Sequence, residues 1–189
     1  TVTTSPVDVA FGGEAPVDGA ALEIAVAAAD EIFDFDPDTG TVDGQDSVDG
    51  GTGIDTLAAL GGGAIPLDGL GSFTATGIEI VDLRNGGAAN QIALDIEEVF
   101  DIVDGPDAFL ADGTHQLLVL GDGADAIGFT GASVDSLSFG AAGSVASSDF
   151  SAAAQTVLDS LGAASAYSPV TFGSNQVLVQ EGLDAVPLV

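Results

Sequence analysis

The stretch TVDGQDSVDGGTGIDTLA, Thr41 to Ala58, divides into two nonapeptides, TVDGQDSVD and GGTGIDTLA, each with glycine fourth, aspartate sixth and an aliphatic residue eighth. That phase has a physical reading. Glycines allow a tight turn whose carbonyls converge on a cation. The carboxylates of Asp46 and Asp55 add charged oxygens, and Leu57 begins a short strand that points into a core. Calcium takes about six to eight oxygen ligands, a number that carboxylates and backbone carbonyls reach together. Repetition every nine residues then sets one turn's carboxylate beside the carbonyls of the next, so that each shared ion orders a piece of a stacked β structure. The candidate Ca2+ ligands are Asp43, Gly44 and Asp46 in the first nonapeptide and Gly51, Gly53 and Asp55 in the second. A degenerate third copy, LGDGADAIG from Leu120 to Gly128, adds Asp122, Gly123 and Asp125.

Composition narrows the classes. The 189 residues carry 30 acids against one Lys or Arg, Arg84, for a formal charge of −29, yet 46% are hydrophobic. This is no disordered acidic tail, and the length suits a single domain with a real core. Side-chain salt bridges cannot organise such a surface. Metal ions, high salt or a basic partner must relieve its self-repulsion. Nucleic acid and anionic lipid are excluded as partners, because phosphate binding needs Lys and Arg. Without cysteine there is no disulfide, thiolate zinc site or thiol nucleophile. No uninterrupted apolar run of about 18 residues is available to span a bilayer. The opening TVTTSPVDVAFGG has no basic stretch ahead of an apolar one, so no secretory signal is expected in it.

Seven Asp-Gly pairs, at Asp18, Asp43, Asp49, Asp68, Asp104, Asp112 and Asp122, punctuate the chain as tight turns. Between them lie runs of β character: residues 55–60, 77–83, 90–94, 115–120, 125–129, 134–139 and 175–179. Their spacing suits a solenoid or a sandwich. Three segments read as helical. Residues 20–32 are alanine-rich, although Ile24 and Val26 allow a strand; Asp95 with Glu98 resembles a capping box; and Ser151 to Leu161 places Ala154, Val157, Leu158 and Leu161 on one face, with Gly162 as a stop. The expected fold is mostly β, a short parallel β-roll or β-solenoid-like stack of strands with a few short helices, in one domain over residues 1–189.

The pattern G-G-x-G-x-D-x-U-x, with U aliphatic, is met at every fixed position by Gly50 to Ala58, and here the sequence resembles the RTX family of calcium-binding nonapeptide repeats. The order DGGTGIDTL, TGIEIVDLRNGGAANQIALDIEEVFDI and HQLLVLGDGADAIGF is similar to the terminal module of large type I-secreted adhesins and related surface proteins. The resemblance implies export without an N-terminal signal, folding outside the cell on meeting calcium, and a structural or adhesive role. It also makes residues 175–189, ending in LDAVPLV, similar to an uncleaved C-terminal secretion signal.

Upstream, DFDPDTG places Asp34, Asp36 and Asp38 at alternate positions, as at the start of an EF-hand loop, but Thr39 stands where that loop needs glycine and Gln45 where it needs glutamate. A ligand set shared with Asp43 and Asp46 is the alternative to a solvated acidic loop. A salt-rich habitat would also explain the acidity, though not the nine-residue phase. The acids from Asp95 to Asp112 read as a helix cap and a solvated face, His115 as an exposed or satisfied side chain, and Arg84 as the partner of a nearby acid. Two carboxylates suffice for glycoside hydrolysis, but sugar sites generally use aromatic platforms, and Trp is absent. No Ser-His-Asp order, HExxH or phosphate loop is present, so an enzyme is not expected. The expectation is a secreted, calcium-rigidified structural or adhesive protein at the cell surface. The alternative is a self-assembling filament, sheath or S-layer subunit whose terminal strands, in TVTTSPVDVAF or LDAVPLV, pair with a neighbour.

Overall fold

A computed structural model describes residues 8–9, 23–25, 30, 32–35, 46–59, 62–67, 73–84, 89–131, 134–163 and 166–187. The described strands are β1 (Asp8–Val9), β2 (Glu23–Ala25), β3 (Ile32–Phe35), β4 (Asp46–Asp49), β5 (Thr56–Ala59), β6 (Gly63–Leu67), β7 (Phe73–Thr76) and β8 (Ile80–Asp82). They continue as β9 (Asn90–Asp95), β10 (His115–Leu120), β11 (Ala126–Thr130), β12 (Ser138–Phe139), β13 (Val145–Ala146), β14 (Ala166–Phe172), β15 (Asn175–Gln180) and β16 (Asp184–Pro187). Two α-helices, α1 (Val99–Ile102) and α2 (Ala152–Leu161), interrupt them.

The strands form three sheets. A nine-stranded sheet runs β1-β3-β5-β8-β10-β15-β14-β12, with β13 also on β14; a four-stranded sheet runs β16-β11-β9-β6; a three-stranded sheet runs β2-β4-β7. Every pairing is parallel except those made by β14, so the chain returns to each sheet from the same end. The return distance is regular at first. In the nine-stranded sheet Asp8 pairs with Ile32, Ile32 with Thr56 and Thr56 with Ile80, an offset of 24 residues each time. Glu23 with Ser47 repeats the 24, and Asp46 with Phe73 and Gly63 with Asn90 are 27 apart. The stacking distance is therefore not the nine residues of the glycine-aspartate phase. Asp46 begins a strand of the three-stranded sheet, whereas Asp55 leads into the nine-stranded one.

The hydrophobic alternation explains how the sheets face one another. Leu117 and Val119 on β10, and Val177 and Val179 on β15, join a core that includes Phe33, Leu57, Ile65, Ile92, Leu94 and Ile127 from the other strands. Their neighbours Leu118, Leu120 and Leu178 point the other way, into a second core with Phe109, Phe150, Tyr167 and the apolar face of α2. The nine-stranded sheet is thus covered on both sides here, and β10 is buried from Gln116 to Leu120. On β9 of the four-stranded sheet only one face is covered, with Ile92 and Leu94 buried and Gln91 exposed.

Helix α2 forms as its sequence dictates. Ser151 caps it by accepting from the Ala154 amide, and Gly162 ends it in the left-handed region at φ 60°. Ala154, Val157 and Leu158 are buried. Asp95 caps a 3₁₀ turn, Ile96–Glu98, that leads into α1, so the capping reading holds on its aspartate side. Residues 23–25 within the expected helix 20–32 form β2 instead, because the β-branched Ile24 pairs with Val48 across the sheet. The terminal stretches have partners within the chain: β1 pairs with β3, and Asp184–Pro187, inside the expected secretion-signal region, pairs with β11. No helix among the described residues is long and apolar enough to cross a membrane.

Candidate functional site

The second nonapeptide turns a corner between β4 and β5. Asp49 closes β4 and its Oδ1 accepts from the Gly51 amide at 3.0 Å. Gly51 and Gly53 adopt φ of 77° and 152°, which explains glycine at both positions. Gly50 has a different reason. Its amide donates to the Thr76 carbonyl at 3.0 Å, and a Cβ on it would drive into the carbonyl oxygen of Gly77. A Cβ on Gly77, at φ 60°, would in turn stand 2.7 Å from the Gly51 backbone nitrogen. The glycines at this corner let one turn rest directly on the turn above.

Asp55, the sixth residue of that nonapeptide, is fully buried. Its amide donates to Glu79 Oε2 at 3.0 Å, and its carbonyl accepts from the Glu79 and Ile80 amides at 3.1 and 2.9 Å. The other carboxylate oxygen of Glu79 accepts from the Asp104 amide at 3.0 Å. Burial pushes the Glu79 carboxyl above the usual range, against the pull of those two amides. Below this level, Asp30 Oδ1 accepts from the Ile54 amide at 3.0 Å. Acids at successive corners therefore hold backbone amides of the adjoining coil. Glu79 was invisible as a site residue in the sequence; its only signal is an acid between Ile78 and Ile80, both fully buried.

The degenerate copy behaves alike. Asp125 is buried, with Oδ1 accepting from the Asn90 amide and Oδ2 from the Asp122 amide, both at 2.9 Å. Asp122 is exposed and accepts from the Ala124 amide at 2.8 Å. Gly123 is exposed with open space where a Cβ would stand. Of the remaining candidates, Asp34 is half-buried on β3 and Asp46 opens β4, while Asp36, Asp38, Asp43 and Gly44 lie outside the described residues. The fold brings Asp122 and Asp125 together, but sends Asp46 and Asp55 to different sheets. Among the described residues no three His, Asp or Glu side chains are grouped to hold a metal ion.

Arg84 makes the pair expected of it. Its Nε and Nη2 donate to the two carboxylate oxygens of buried Asp82 at 2.8 and 2.6 Å. The same guanidinium reaches the last carbonyls of α2, Leu161 at 3.1 Å and Gly162 at 3.2 Å, where the negative end of the helix dipole favours a cation. The one Lys or Arg of the chain thus ties β8 to the inserted helix. His115 opens β10, half-buried against Phe100 with ring centroids 4.6 Å apart. Among the acids beyond Asp95, Asp112 Oδ1 collects the Thr114 amide and hydroxyl and Gln116 Nε2.

No family model, curated protein or solved structure matches this chain significantly.

Proposed function

We propose that this chain is a short β-solenoid with a structural or adhesive role outside the cell, of RTX type, stabilised by Ca2+. The observation that carries the solenoid reading is the repeated 24-residue offset between parallel partner strands, seen in two separate sheets. Stacked coils of that kind build a rigid rod whose usefulness is its shape and surface. The calcium part rests on charge: the formal −29 has one Lys or Arg to oppose it, and that residue is engaged with Asp82. Asp125 serves one backbone amide with each oxygen, and each oxygen keeps a further lone pair that an ion could use. The acids that would hold the ion are those of the segment from Asp34 to Asp46, namely Asp34, Asp36, Asp38, Asp43 and Asp46. Calcium supplies neutralisation there.

Thermal unfolding of chelated protein, with CaCl2 added against NaCl at matched ionic strength, tests the reading. Specific binding at about a hundred times Kd adds about 2.7 kcal/mol, so calcium should raise the midpoint by about 5–10 °C beyond the sodium control. Equal curves in the two salts would leave a salt-tolerant β scaffold and remove calcium from the proposal.

A further inference from the structure

The 3₁₀ turn Ile96–Glu98 and helix α1 bury one side and expose the other. Ile96, Val99, Ile102 and Val103 enter the core between the sheets. Glu97, Phe100 and Asp101, at the i, i+3 and i+4 spacing that sets residues on one side of a helical segment, are exposed, as is Asp104 just past the helix. Phe100 is 57% exposed, and Phe139, at 48%, is its one equal among the large apolar side chains of the described residues. The Phe100 ring has firm support beneath it, packing on His115 with centroids 4.6 Å apart. His115 stands in register with Asn175 on β15, and Asn175 is 9% exposed. The Asn175 Nδ2 donates to the carbonyls of Ile96 at 2.9 Å and Glu97 at 3.3 Å, which fixes the turn to the sheet. Its Oδ1, like Nδ1 of His115, is buried without a hydrogen bond. The base of this face therefore holds an acceptor that the chain itself leaves unused.

The charge here cannot be neutralised from within. The one Lys or Arg of the chain, Arg84, is engaged with Asp82 and the last carbonyls of α2. Like charges crowd the turn: the Glu98 carboxyl is held above the usual range by partial burial and then by the charges of Asp101, Asp95 and Glu97. Among the described residues no three acids converge to hold one ion. Carboxylates spread around an exposed ring match a partner whose positive charges are spread as well, and whose side chains can cover the ring. Arginine meets both needs. Its guanidinium stacks on an aromatic face, forks to a carboxylate and keeps further donors for a buried acceptor.

We propose that the face formed by Glu97, Phe100, Asp101 and Asp104 docks an arginine-bearing segment of a partner protein, with a guanidinium stacked on Phe100 and flanked by the carboxylates. None of the acids assigned to calcium, Asp34 to Asp46, takes part in this face.

The test is a titration of the isotope-labelled chain, in NaCl at about 0.15 M, with a capped peptide of three arginines separated by alanines. The backbone amides of Glu97, Phe100, Asp101 and Asp104 and the side-chain amide of Asn175 should shift and saturate together. Phe100→Leu keeps the apolar bulk but removes the ring, and should raise the midpoint at these amides about 2–5-fold. Glu97→Gln with Asp101→Asn should raise it about 3–10-fold. Phe139→Leu, at a ring with no acid between Ser136 and Ser148, should leave it unchanged, and so should the charge-matched pair Asp135→Asn with Asp159→Asn. Reading the midpoint at these amides keeps binding elsewhere on the acidic chain out of the measurement. Absorbance of Tyr167, buried and the single tyrosine, reports the fold of each variant. A midpoint unmoved by Phe100→Leu or by the double acid substitution would overturn the proposal. The same shifts produced by CaCl2 alone would equally overturn it, because the face would then be a site for a point ion.

Discussion

From β1 to β8 the partners in the nine-stranded sheet are 24 residues apart at every step, whereas beyond β8 the offset grows to 38, from Ile80 to Leu118, and then to 60, from His115 to Asn175. The added residues leave the parallel order intact and are spent on one surface. The first insertion, between α1 and β10, brings Phe109 and Leu110 to the outer face of the sheet; the second, between β11 and β15, brings Phe150, α2 and Tyr167 to the same face. Phe109, Phe150 and Tyr167 pack in a row of tilted rings with centroids 5.4 and 5.3 Å apart. In the regular half the joint between coils is backbone on backbone, made by Gly50, Gly51 and Gly77. In the expanded half it is side-chain packing over an otherwise exposed sheet. Where the offset is constant, glycines stand at the described corner; where it grows, the added residues cover the outer face of the sheet.

The largest effect should come where the two halves meet. Arg84→Ala leaves buried Asp82 without its guanidinium and uncouples α2, and should cost about 3–5 kcal/mol in denaturant unfolding. Replacing both partners, as in Asp82→Leu with Arg84→Met, should recover most of that loss, because the desolvated charge goes with its partner. Next is the outer core: Leu118→Ala should cost about 2–5 kcal/mol, as expected for a fully buried leucine that cannot be replaced by its neighbours.

The glycines divide the two halves more sharply. Gly50→Ala forces a Cβ into the Gly77 carbonyl, a contact between two backbones that cannot swing aside, and should cost about 1–3 kcal/mol. Gly123→Ala, at the fourth position of the degenerate nonapeptide, meets open space and should change stability by no more than about 0.5 kcal/mol. Equal costs at both positions would mean that the glycine-aspartate phase, not coil stacking, selects glycine.

The smallest change is spectroscopic and confined to alkali. Burial pushes the Tyr167 phenol up to about 12, against the lowering effect of Arg84. The folded chain therefore keeps its phenol proton where the unfolded chain has lost it. That contribution is fully present below the ordinary phenol value near 10 and is lost as pH rises from there to about 12. Absorbance of the single tyrosine should show tyrosinate only near the upper value, and near 10 in denaturant. Glu79 works in the same sense at acid pH: its raised carboxyl favours the folded state below the ordinary value, and that benefit fades as pH rises through the folded one.

What was legible in the sequence follows from which forces are local. Helix α2 could be read with both ends because its cap, apolar face and terminal glycine are contained in one stretch. Strands β5, β9, β10, β11 and β15 could be read from their apolar runs. Strands β6 and β14 were missed, and each contains a proline that argues against a strand; β16 lies in LDAVPLV, which reads as a strand, and its partner is β11 of the same chain. The coil length was not legible, since the nine-residue phase of glycine and aspartate describes turn chemistry, whereas the 24-residue offset follows from how far the chain travels around the core. The buried acids were half legible. Asp55 and Asp125 were singled out as ligands of an ion, and both lie buried within the backbone hydrogen bonding of the corners.

Stacking at this longer distance is tested most directly by cross-linking, in a chain with no cysteine of its own. Ser47 and Thr74 are register partners on β4 and β7, half-buried and exposed, whereas Ser47 and Thr56 hold equivalent seventh places in the two nonapeptides but lie in different sheets. On mild oxidation of folded protein, Ser47→Cys with Thr74→Cys should close a disulfide readily and Ser47→Cys with Thr56→Cys should not. The reverse outcome would mean that coils repeat every nine residues, and would contradict the stacked architecture on which the proposed function stands.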